Sequence, residues 1–210
     1  MRIFTIASPS HRGLLKDYFI PSVKKVGEYE LTVMEIPQYG DSSFGSQGFN
    51  RACLDKLYLL ERLAKLPDEY VLYADCDIVF LQLTEVDLRF RIGDKDALFQ
   101  SDAGMLCAGF IFMRPCKRLA DFFRHCTLDY RHGMENDQDV INRNRRMMNF
   151  GLLPAEYYNI AFANHGKVHN TGDIAVIPAG IRMFHANWTV GIDNKIELLK
   201  LALRNNDTDN

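Results

Sequence analysis

VLYADCDIVF, residues 71–80, places two aspartates inside a strongly apolar stretch that is typical of a buried strand. An ionised carboxylate in apolar surroundings is costly unless something pairs with it. Because side chains two residues apart in extended backbone point to the same side, Asp75 and Asp77 are expected to share a face while Cys76 turns toward the core. Either the strand ends at the surface and water solvates the acids, or the acids hold a cation. A D-x-D motif alone does not decide between these alternatives.

The chemistry of the two acids limits what they could bind. Two carboxylates on one face suit a hard divalent cation with oxygen ligands, such as Mg²⁺ or Mn²⁺. A carboxylate and a phosphate roughly 4 Å apart repel by about 4 kcal/mol at an effective dielectric constant of about 20. The acids would therefore expel a diphosphate on their own, and would hold one through a cation.

Length and composition restrict the class of protein. The 210 residues suffice for one sizeable α/β domain, and 47% hydrophobic with 25% charged residues is ordinary for a globular protein. A net charge of −2 gives no electrostatic reason to expect a nucleic-acid partner. No apolar run approaches the ~20 residues of a membrane span. The five cysteines form an odd set without a CxxC pair, which predicts reduced thiols, a cytoplasmic location and no zinc site.

Strand and helix patterns alternate along the chain. The predicted strands cover 2–7, 29–37, 71–80, 96–102 and 105–115, with a short strand pair at 174–187. The predicted helices cover about 11–26, 49–66, 116–131, 136–148 and 193–205, the last capped by Asp193. This order favours an open, mainly parallel sheet with an antiparallel addition, whose ligands gather at the carboxyl ends of the strands. We predict a single domain over 1–205, with 206–210 as a frayed tail or a linker within a longer protein.

Three further segments carry candidate site residues. Small residues surround MLCAGF (105–110), where they either let a ligand approach the backbone or pack strands tightly. ENDQDVIN (135–142) places acids at a helix start, where they act as caps or in a site. His185, Gly191 and Lys195 occur together after an apolar strand and could complete a metal site and neutralise phosphate, although a histidine in that setting is more often structural. The loop at 41–48 is either a lid or an ordinary surface loop.

Together, the DCD strand, the CAGF strand, the DQD helix start and the late His, Gly and Lys form an ordered set over about residues 2–200. This set resembles the nucleotide-diphospho-sugar transferases of the GT-A fold, in the group of glycogenin and the bacterial lipopolysaccharide galactosyltransferases, and is similar to small glycosyltransferase domains of large algal viruses. The resemblance implies an α/β fold of the GT-A (Rossmann-like) type, an open mixed sheet that is mainly parallel and flanked by helices. It also implies Mn²⁺ or Mg²⁺, a UDP-sugar donor, and a glycan or glycoprotein acceptor. A viral protein of this kind would work in the host cytoplasm.

The resemblance implies roles for individual positions. The metal ligands are Asp75, Asp77 and His185, with Asp75 also able to bind the ribose. The catalytic pair beside the donor sugar is Asp137 and Gln138. The donor-binding residues are Thr5, Ala7, Arg12, Lys56, Asp75, Asp102, Cys107, Ala108, Gly191 and Lys195. Cys107 is a departure, since related enzymes usually carry Asn there, and a thiol is a weak hydrogen-bonding group. A donor sugar that lacks a hydroxyl, or is held differently, would fit.

The expected function is metal-dependent transfer of a hexose or deoxyhexose from a nucleoside-diphosphate sugar to a glycan hydroxyl. The resemblance leans weakly toward retention of the anomeric configuration. An inverting enzyme would need a carboxylate base beside the acceptor, for which Asp137 and Asp139 are the candidates. One alternative is a phosphohydrolase with an aspartate nucleophile, although such enzymes normally place the D-x-D strand near the chain start. The other is a non-catalytic module that binds a nucleotide sugar or a glycan.

Overall fold

The computed structural model describes residues 1–40 and 43–207. The strands in chain order are β1 (Arg2–Ala7), β2 (Glu30–Glu35), β3 (Val71–Ala74), β4 (Ile78–Phe80), β5 (Ala97–Asp102), β6 (Met105–Met113), β7 (Phe150–Leu152), β8 (Tyr157–Asn159) and β9 (Met183–His185). The helices are α1 (Arg12–Leu14), α2 (Ile20–Val26), α3 (Gln47–Leu63), α4 (Glu85–Ile92), α5 (Lys117–Asp129), α6 (Asp137–Asn144), α7 (Ile160–Ala163) and α8 (Ile192–Asp207). No helix within the described residues combines the length and hydropathy that crossing a bilayer requires.

Two sheets form the framework. The larger has the strand order β2-β1-β3-β6-β5-β7, and the smaller has β4-β9-β8. In the larger sheet only β6 runs against its neighbours β3 and β5, while the other pairings are parallel. The prediction of an open, mixed and mainly parallel sheet flanked by helices is therefore confirmed.

The strand predicted over 71–80 is interrupted at the two acids. A single strand over 71–80 was expected, but β3 ends at Ala74 and β4 begins at Ile78 in the other sheet. The backbone N–H of Asp75 donates to the carbonyl of Gly109 at 2.8 Å, and the carbonyl of Asp77 accepts from Ala186 N–H at 3.0 Å. The acids thus lie in a turn between two sheets rather than in extended backbone, and the prediction of one continuous strand is wrong.

The larger sheet is buried on both faces. Along β3, Tyr73 joins a cluster with side chains of α3 and α5, whereas Leu72 joins a second cluster with Phe19 and Phe110. Both Tyr73 and Leu72 are fully buried, and burying such a side chain contributes about 1.5–3 kcal/mol. Cys76 packs into the second cluster, as predicted. A third cluster joins α8 to the smaller sheet through residues such as Phe184 and Leu199.

Three boundaries differ from the sequence predictions. The strand pair at 174–187 reduces to β9, since 174–179 is irregular. Asp193 lies inside the first turn of α8 and is not its cap, because the helix begins one residue earlier. The helix expected at 11–26 contains a π-helical turn at Leu15–Phe19. Pro21 explains this widening, since proline lacks the N–H that a regular helix would bond four residues back.

Two segments of the predictions fall partly outside the described residues. The loop predicted at 41–48 begins with positions 41 and 42, and the tail predicted at 206–210 ends with 208–210; these five positions are not described. Within the rest of that tail, α8 continues through position 207. The single domain over 1–205 and its place in a longer protein stay predictions.

Candidate active site

Asp75, Asp77 and His185 form a compact cluster where the two sheets meet. One ligand atom from each residue lies within 4.8 Å of the others. The pairing of β4 with β9 places His185 opposite Ile78, directly beside the turn that carries the acids. Two carboxylates and an imidazole fit Mn²⁺ or Mg²⁺ by donor type. The structure therefore brings together all three predicted ligands in an arrangement that could hold a metal ion.

Asp77 is the buried member of the pair, with 6% exposure. Its Oδ2 lies 2.6 Å from Lys195 Nζ and its Oδ1 lies 3.2 Å from His185 Nε2. Burial opposes ionisation of Asp77, but the charges of Lys195 and His185 hold its pKa well below the ordinary value. Burial likewise opposes protonation of His185, yet Asp77 and then Cys107 raise the pKa of the ring to about 10. The positively charged groups of Lys195 and His185 therefore face the Asp77 carboxylate.

Lys56 connects Asp75 to the start of α6. Its Nζ lies 3.1 Å from both carboxylate oxygens of Asp75 and 2.7 Å from Asp137 Oδ2. Tyr73 also donates its hydroxyl to Asp75. Burial works against the charge of Lys56, but Asp137 and Asp75 hold its pKa well above the ordinary value. A buried ammonium therefore couples the D-x-D turn to the DQD segment.

The two acids in the first turn of α6, Asp137 and Asp139, make different contacts. Asp139 completes a capping box with Asn136, with bonds of 2.9 and 3.0 Å between each side chain and the partner's backbone N–H. Asp137 instead points into the protein, with 5% exposure, and meets Lys56. Of the two candidate bases named from the sequence, only Asp137 faces the site.

Gln138 bridges α6 to the end of β5. Its Nε2 donates to Asp102 Oδ2 at 2.8 Å, and its Oε1 accepts from Ala108 N–H at 3.3 Å. Asp102 is 1% exposed, and its Oδ2 also accepts from the indole N–H of Trp188 at 2.9 Å. Within the described part of the chain, Asp102 Oδ1 has no hydrogen-bond partner. A buried carboxylate oxygen with spare acceptor capacity suits a ligand hydroxyl.

Cys107 and Gly109 both face the histidine. Cys107 Sγ lies 3.7 Å from His185 Nδ1, and burial raises the pKa of this thiol, which therefore stays neutral. A β carbon on Gly109 would lie 2.3 Å from His185 Cε1 and 2.7 Å from Asp75 Oδ2. Glycine at 109 is thus required for the cluster to close, and this argues for the tight-packing reading of the small residues in that segment.

Three predicted donor-binding residues, Thr5, Ala7 and Arg12, lie in or shortly after β1. Thr5 and Ala7 are buried, and Thr5 Oγ1 has no hydrogen-bond partner among the residues described. In the segment after β1, burial and then the charge of Lys195 lower the pKa of His11. The Arg12 side chain is 58% exposed and lies 3.7 Å from Glu35. Arg12 is therefore the predicted residue with the weakest tie to the site.

Gly191 stands at the junction between Trp188 and α8. Its φ of 86° lies in the left-handed region that glycine tolerates, and its carbonyl accepts from Lys195 N–H at 3.3 Å. Gly191 thus sets the start of the helix that carries Lys195 to Asp77.

Sequence reasoning missed the roles of Gln100 and Trp188. Gln100 is fully buried in β5, and its Oε1 lies 2.9 Å from His185 Nδ1. An amide inside the apolar stretch ALFQSD was the available signal, since a buried amide needs specific partners. Trp188 has a φ of 48°, which is unusual for a bulky residue and which no sequence pattern announces.

Comparisons with known proteins bear on the fold and the family of the chain. A search of curated protein sequences finds no match. Among solved structures, the glycosyltransferase GlyE of Streptococcus pneumoniae TIGR4 is 14% identical with a TM-score of 0.59, over 97% of this chain and 62% of GlyE. The chain therefore spans less than two thirds of the length of GlyE. The galactosyltransferase LgtC, solved with donor and acceptor sugar analogues, is 14% identical with a TM-score of 0.56, over 96% of each chain.

A third structure belongs to a glycosyltransferase involved in glycosylation of the major capsid of PBCV-1. It is 10% identical with a TM-score of 0.64, over 96% of this chain and 100% of that one. At these identities the likeness shows a shared fold, and it confirms the expected GT-A fold. Residues 23–199 match the family model described as nucleotide-diphospho-sugar transferase. Because that match covers most of its length, the chain belongs to the nucleotide-diphospho-sugar transferase family, and the glycosyltransferase classification expected from the motifs is confirmed at that level.

Proposed function

We propose that the protein is a metal-dependent glycosyltransferase that moves a hexose or deoxyhexose from a nucleoside-diphosphate sugar, with UDP favoured, to a hydroxyl of a glycan or glycoprotein. The observation that carries this proposal is the cluster of Asp75, Asp77 and His185, whose ligand atoms lie within 4.8 Å of one another. Family membership supplies the reaction class, and the cluster supplies a place for the cation that a diphosphate needs. A cytoplasmic location is proposed from the five free cysteines.

The proposed cation is Mn²⁺ or Mg²⁺, held by Asp75, Asp77 and His185. When bound, it would neutralise the diphosphate and stabilise the charge of the departing nucleoside diphosphate. Lys195, now 2.6 Å from Asp77, supplies an ammonium at the same place for the phosphate oxygens. Lys56 holds the Asp75 carboxylate through its two contacts of 3.1 Å.

The proposed sugar-binding side is formed by Asp102, Gln138 and Asp137. Asp102 offers its unpartnered Oδ1 to a sugar hydroxyl, while Gln138 and Trp188 hold the other oxygen. Cys107 turns its thiol toward His185 and leaves the position of the usual Asn amide without an equivalent hydrogen-bonding group. This supports a donor that lacks a hydroxyl or is held differently.

Retention of configuration is supported by the surroundings of the acids. In the reaction the bond from the anomeric carbon to the diphosphate oxygen breaks, the acceptor oxygen bonds that carbon, and the acceptor hydroxyl loses its proton. An inverting enzyme needs a free carboxylate to take that proton. Asp139 is used in the helix cap, and Asp137 is ion-paired to Lys56 at 2.7 Å.

A thermal-shift panel of UDP-, GDP- and TDP-sugars with and without Mn²⁺ tests the proposal. A tight donor should raise the unfolding midpoint only when Mn²⁺ is present, because a ligand that binds the folded state stabilises it by mass action. Asp75→Asn with Asp77→Asn should abolish that shift. If no nucleotide sugar shifts the midpoint in either condition, the proposal fails.

The two alternatives predict different products. A phosphohydrolase would release phosphate from simple phosphoesters, although β1 to α3 precede the D-x-D turn here and residues 23–199 match the nucleotide-diphospho-sugar transferase family. A non-catalytic module would bind donor without turnover. Asp137→Asn separates it from an enzyme: in an enzyme, sugar transfer should fall far more than donor affinity, whereas a module shows no transfer even in the intact protein.

A further inference from the structure

Gln100 occupies the interior at the junction of the two sheets. It is fully buried, and its Nε2 donates to the backbone carbonyls of Tyr157 and Tyr158 at 3.0 Å each. The same nitrogen lies 3.4 Å from Met183 Sδ. Because both N–H groups are directed at carbonyls of β8, the amide has one orientation, with Oε1 facing His185 Nδ1 at 2.9 Å.

An irregularity in the pairing of β5 with β6 places this amide. Phe99 pairs with Ile111, but Gln100 pairs with Cys107, so residues 108–110 have no partner in β5. Bulges of this kind re-aim side chains and occur next to active sites. Gly109 lies in the unpaired stretch, where a β carbon would lie 2.3 Å from the histidine ring. The bulge therefore leaves room for the His185 ring beside Gly109 and places the Gln100 amide next to the same ring.

We propose that Gln100 is a positioning residue for the metal site. It accepts the Nδ1–H of His185 and thereby turns Nε2, which lies 3.2 Å from Asp77 Oδ1, toward the two carboxylates. Histidines that ligate metals usually donate their other ring N–H to a fixed acceptor, which sets the tautomer and the ring orientation. This inference rests on the proposed function, since it assumes that the cluster binds a cation.

An amide meets a requirement here that a carboxylate does not. A glutamate at 100 would accept from His185 but would leave the carbonyls of Tyr157 and Tyr158 facing carboxylate oxygens. Cys107 Sγ also lies near Nδ1, but at 3.7 Å, and sulfur is a weak acceptor. Gln100 is therefore the acceptor that fixes the ring.

The test compares Gln100→Met with a matched control. Methionine keeps the approximate volume and removes the acceptor, so the Mn²⁺ dissociation constant, measured by electron paramagnetic resonance without nucleotide, should rise about 10- to 100-fold. Asn159→Ala removes another fully buried amide, which joins β8 to the carbonyl of Ser101 at 2.8 Å without a side-chain bond to His185. That variant should lose comparable stability and keep Mn²⁺ affinity within about twofold.

A second measurement avoids dependence on the variant's folding. In wild-type protein saturated with diamagnetic Mg²⁺, ¹⁵N NMR should show His185 with a protonated Nδ1 in hydrogen-bond coupling to Gln100. A ring protonated at Nε2 instead would overturn the proposal, as would unchanged Mn²⁺ affinity in folded Gln100→Met. If the wild-type protein binds neither cation, the proposed metal site itself fails, which distinguishes the two conclusions.

Discussion

The indole N–H of Trp188 donates to Asp102 Oδ2 at 2.9 Å from a left-handed backbone with a φ of 48°. Such a backbone costs on the order of 1–3 kcal/mol for a bulky residue and persists only where the surroundings impose it. The strained turn therefore holds the indole on a carboxylate whose second oxygen lacks a partner among the described residues. This arrangement fixes the acceptor that we assign to the donor sugar.

Trp188→Phe should weaken binding of the sugar part of the donor. The substitution keeps an aromatic ring and removes the N–H, so Asp102 Oδ2 keeps only the bond from Gln138 and the carboxylate is held less firmly. We expect the dissociation constant of the UDP-sugar that gives the largest thermal shift to rise by up to about tenfold, the equivalent of about 1.4 kcal/mol. Calorimetry with UDP alone is the control, and its affinity should not change. An equal loss for UDP and the UDP-sugar would contradict this assignment.

Gly109→Ala should disable the metal site. The new β carbon would lie 2.3 Å from His185 Cε1 and 2.7 Å from Asp75 Oδ2, and overpacking typically costs about 1–3 kcal/mol. Mn²⁺ binding, followed by electron paramagnetic resonance, should fall at least tenfold. Gly13→Ala is the matched control, because nothing lies within 4 Å of its β carbon. Normal Mn²⁺ affinity in folded Gly109→Ala would show that the cluster does not bind the ion.

Lys195→Met should have opposite effects on the metal and on the diphosphate. The ammonium of Lys195 competes with a cation for Asp77 at 2.6 Å, so its removal should tighten binding of Mn²⁺ alone by several-fold. A charge-assisted hydrogen bond contributes about 1.5–3 kcal/mol, so the affinity of Mn²⁺-UDP should fall by about tenfold or more. Lys200→Met, an exposed lysine on the same helix, should change neither value. Parallel changes in both affinities would exclude a phosphate role for Lys195.

Asp96 should make stability depend on acid pH. Its carboxylate accepts two bonds of 2.7 Å from Arg118 and one of 2.8 Å from Asn149 N–H. Burial raises the pKa of Asp96, but Arg118 and Asn149 outweigh it, so the folded pKa lies below 3.8. The stabilisation is therefore present above about pH 3.8 and is lost as pH falls through the folded pKa.

Urea unfolding of wild type and Asp96→Asn checks this sign. The variant should have a lower urea midpoint at pH 7. The difference between the two midpoints should shrink below about pH 4, because the wild-type carboxyl is then protonated and as neutral as the amide of the variant. A difference that stays constant from pH 7 to pH 3 would show that the ionised form of Asp96 does not contribute.

The sequence was sufficient to predict that Asp75, Asp77 and His185 come together, but not the backbone that presents them. Asp75, Asp77 and His185 were accessible because acidic pairs and a late histidine stand out against apolar strands. The apolar residues on both sides of the acids predicted one strand, since hydrophobicity does not show that β3 and β4 pair in different sheets. The segment forms two strands because β3 and β4 pair with different neighbours in the folded protein.

Residues whose roles depend on distant contacts could not be found from the sequence. Gln100 meets His185 across 85 positions, at a register shift between β5 and β6 that no local pattern reveals. Asp139 and Asp137 looked equivalent in sequence, and the capping box separated them. The irregular segment at 174–179 contains apolar residues typical of strands, but local propensity was overridden by its position outside both sheets.

The turn at 75–77 also has a mechanical consequence. Asp75 is anchored to the larger sheet through Gly109, and Asp77 to the smaller through Ala186, so an ion bound by both would add a further link between two sheets that Gln100 and Asn159 already connect. Loading with Mg²⁺ should slow amide exchange in β4 and β9 more than in the distant edge strand β2, a pattern that exchange mass spectrometry can read. Equal slowing of amide exchange in all of these strands would mean that the ion does not link the two sheets specifically.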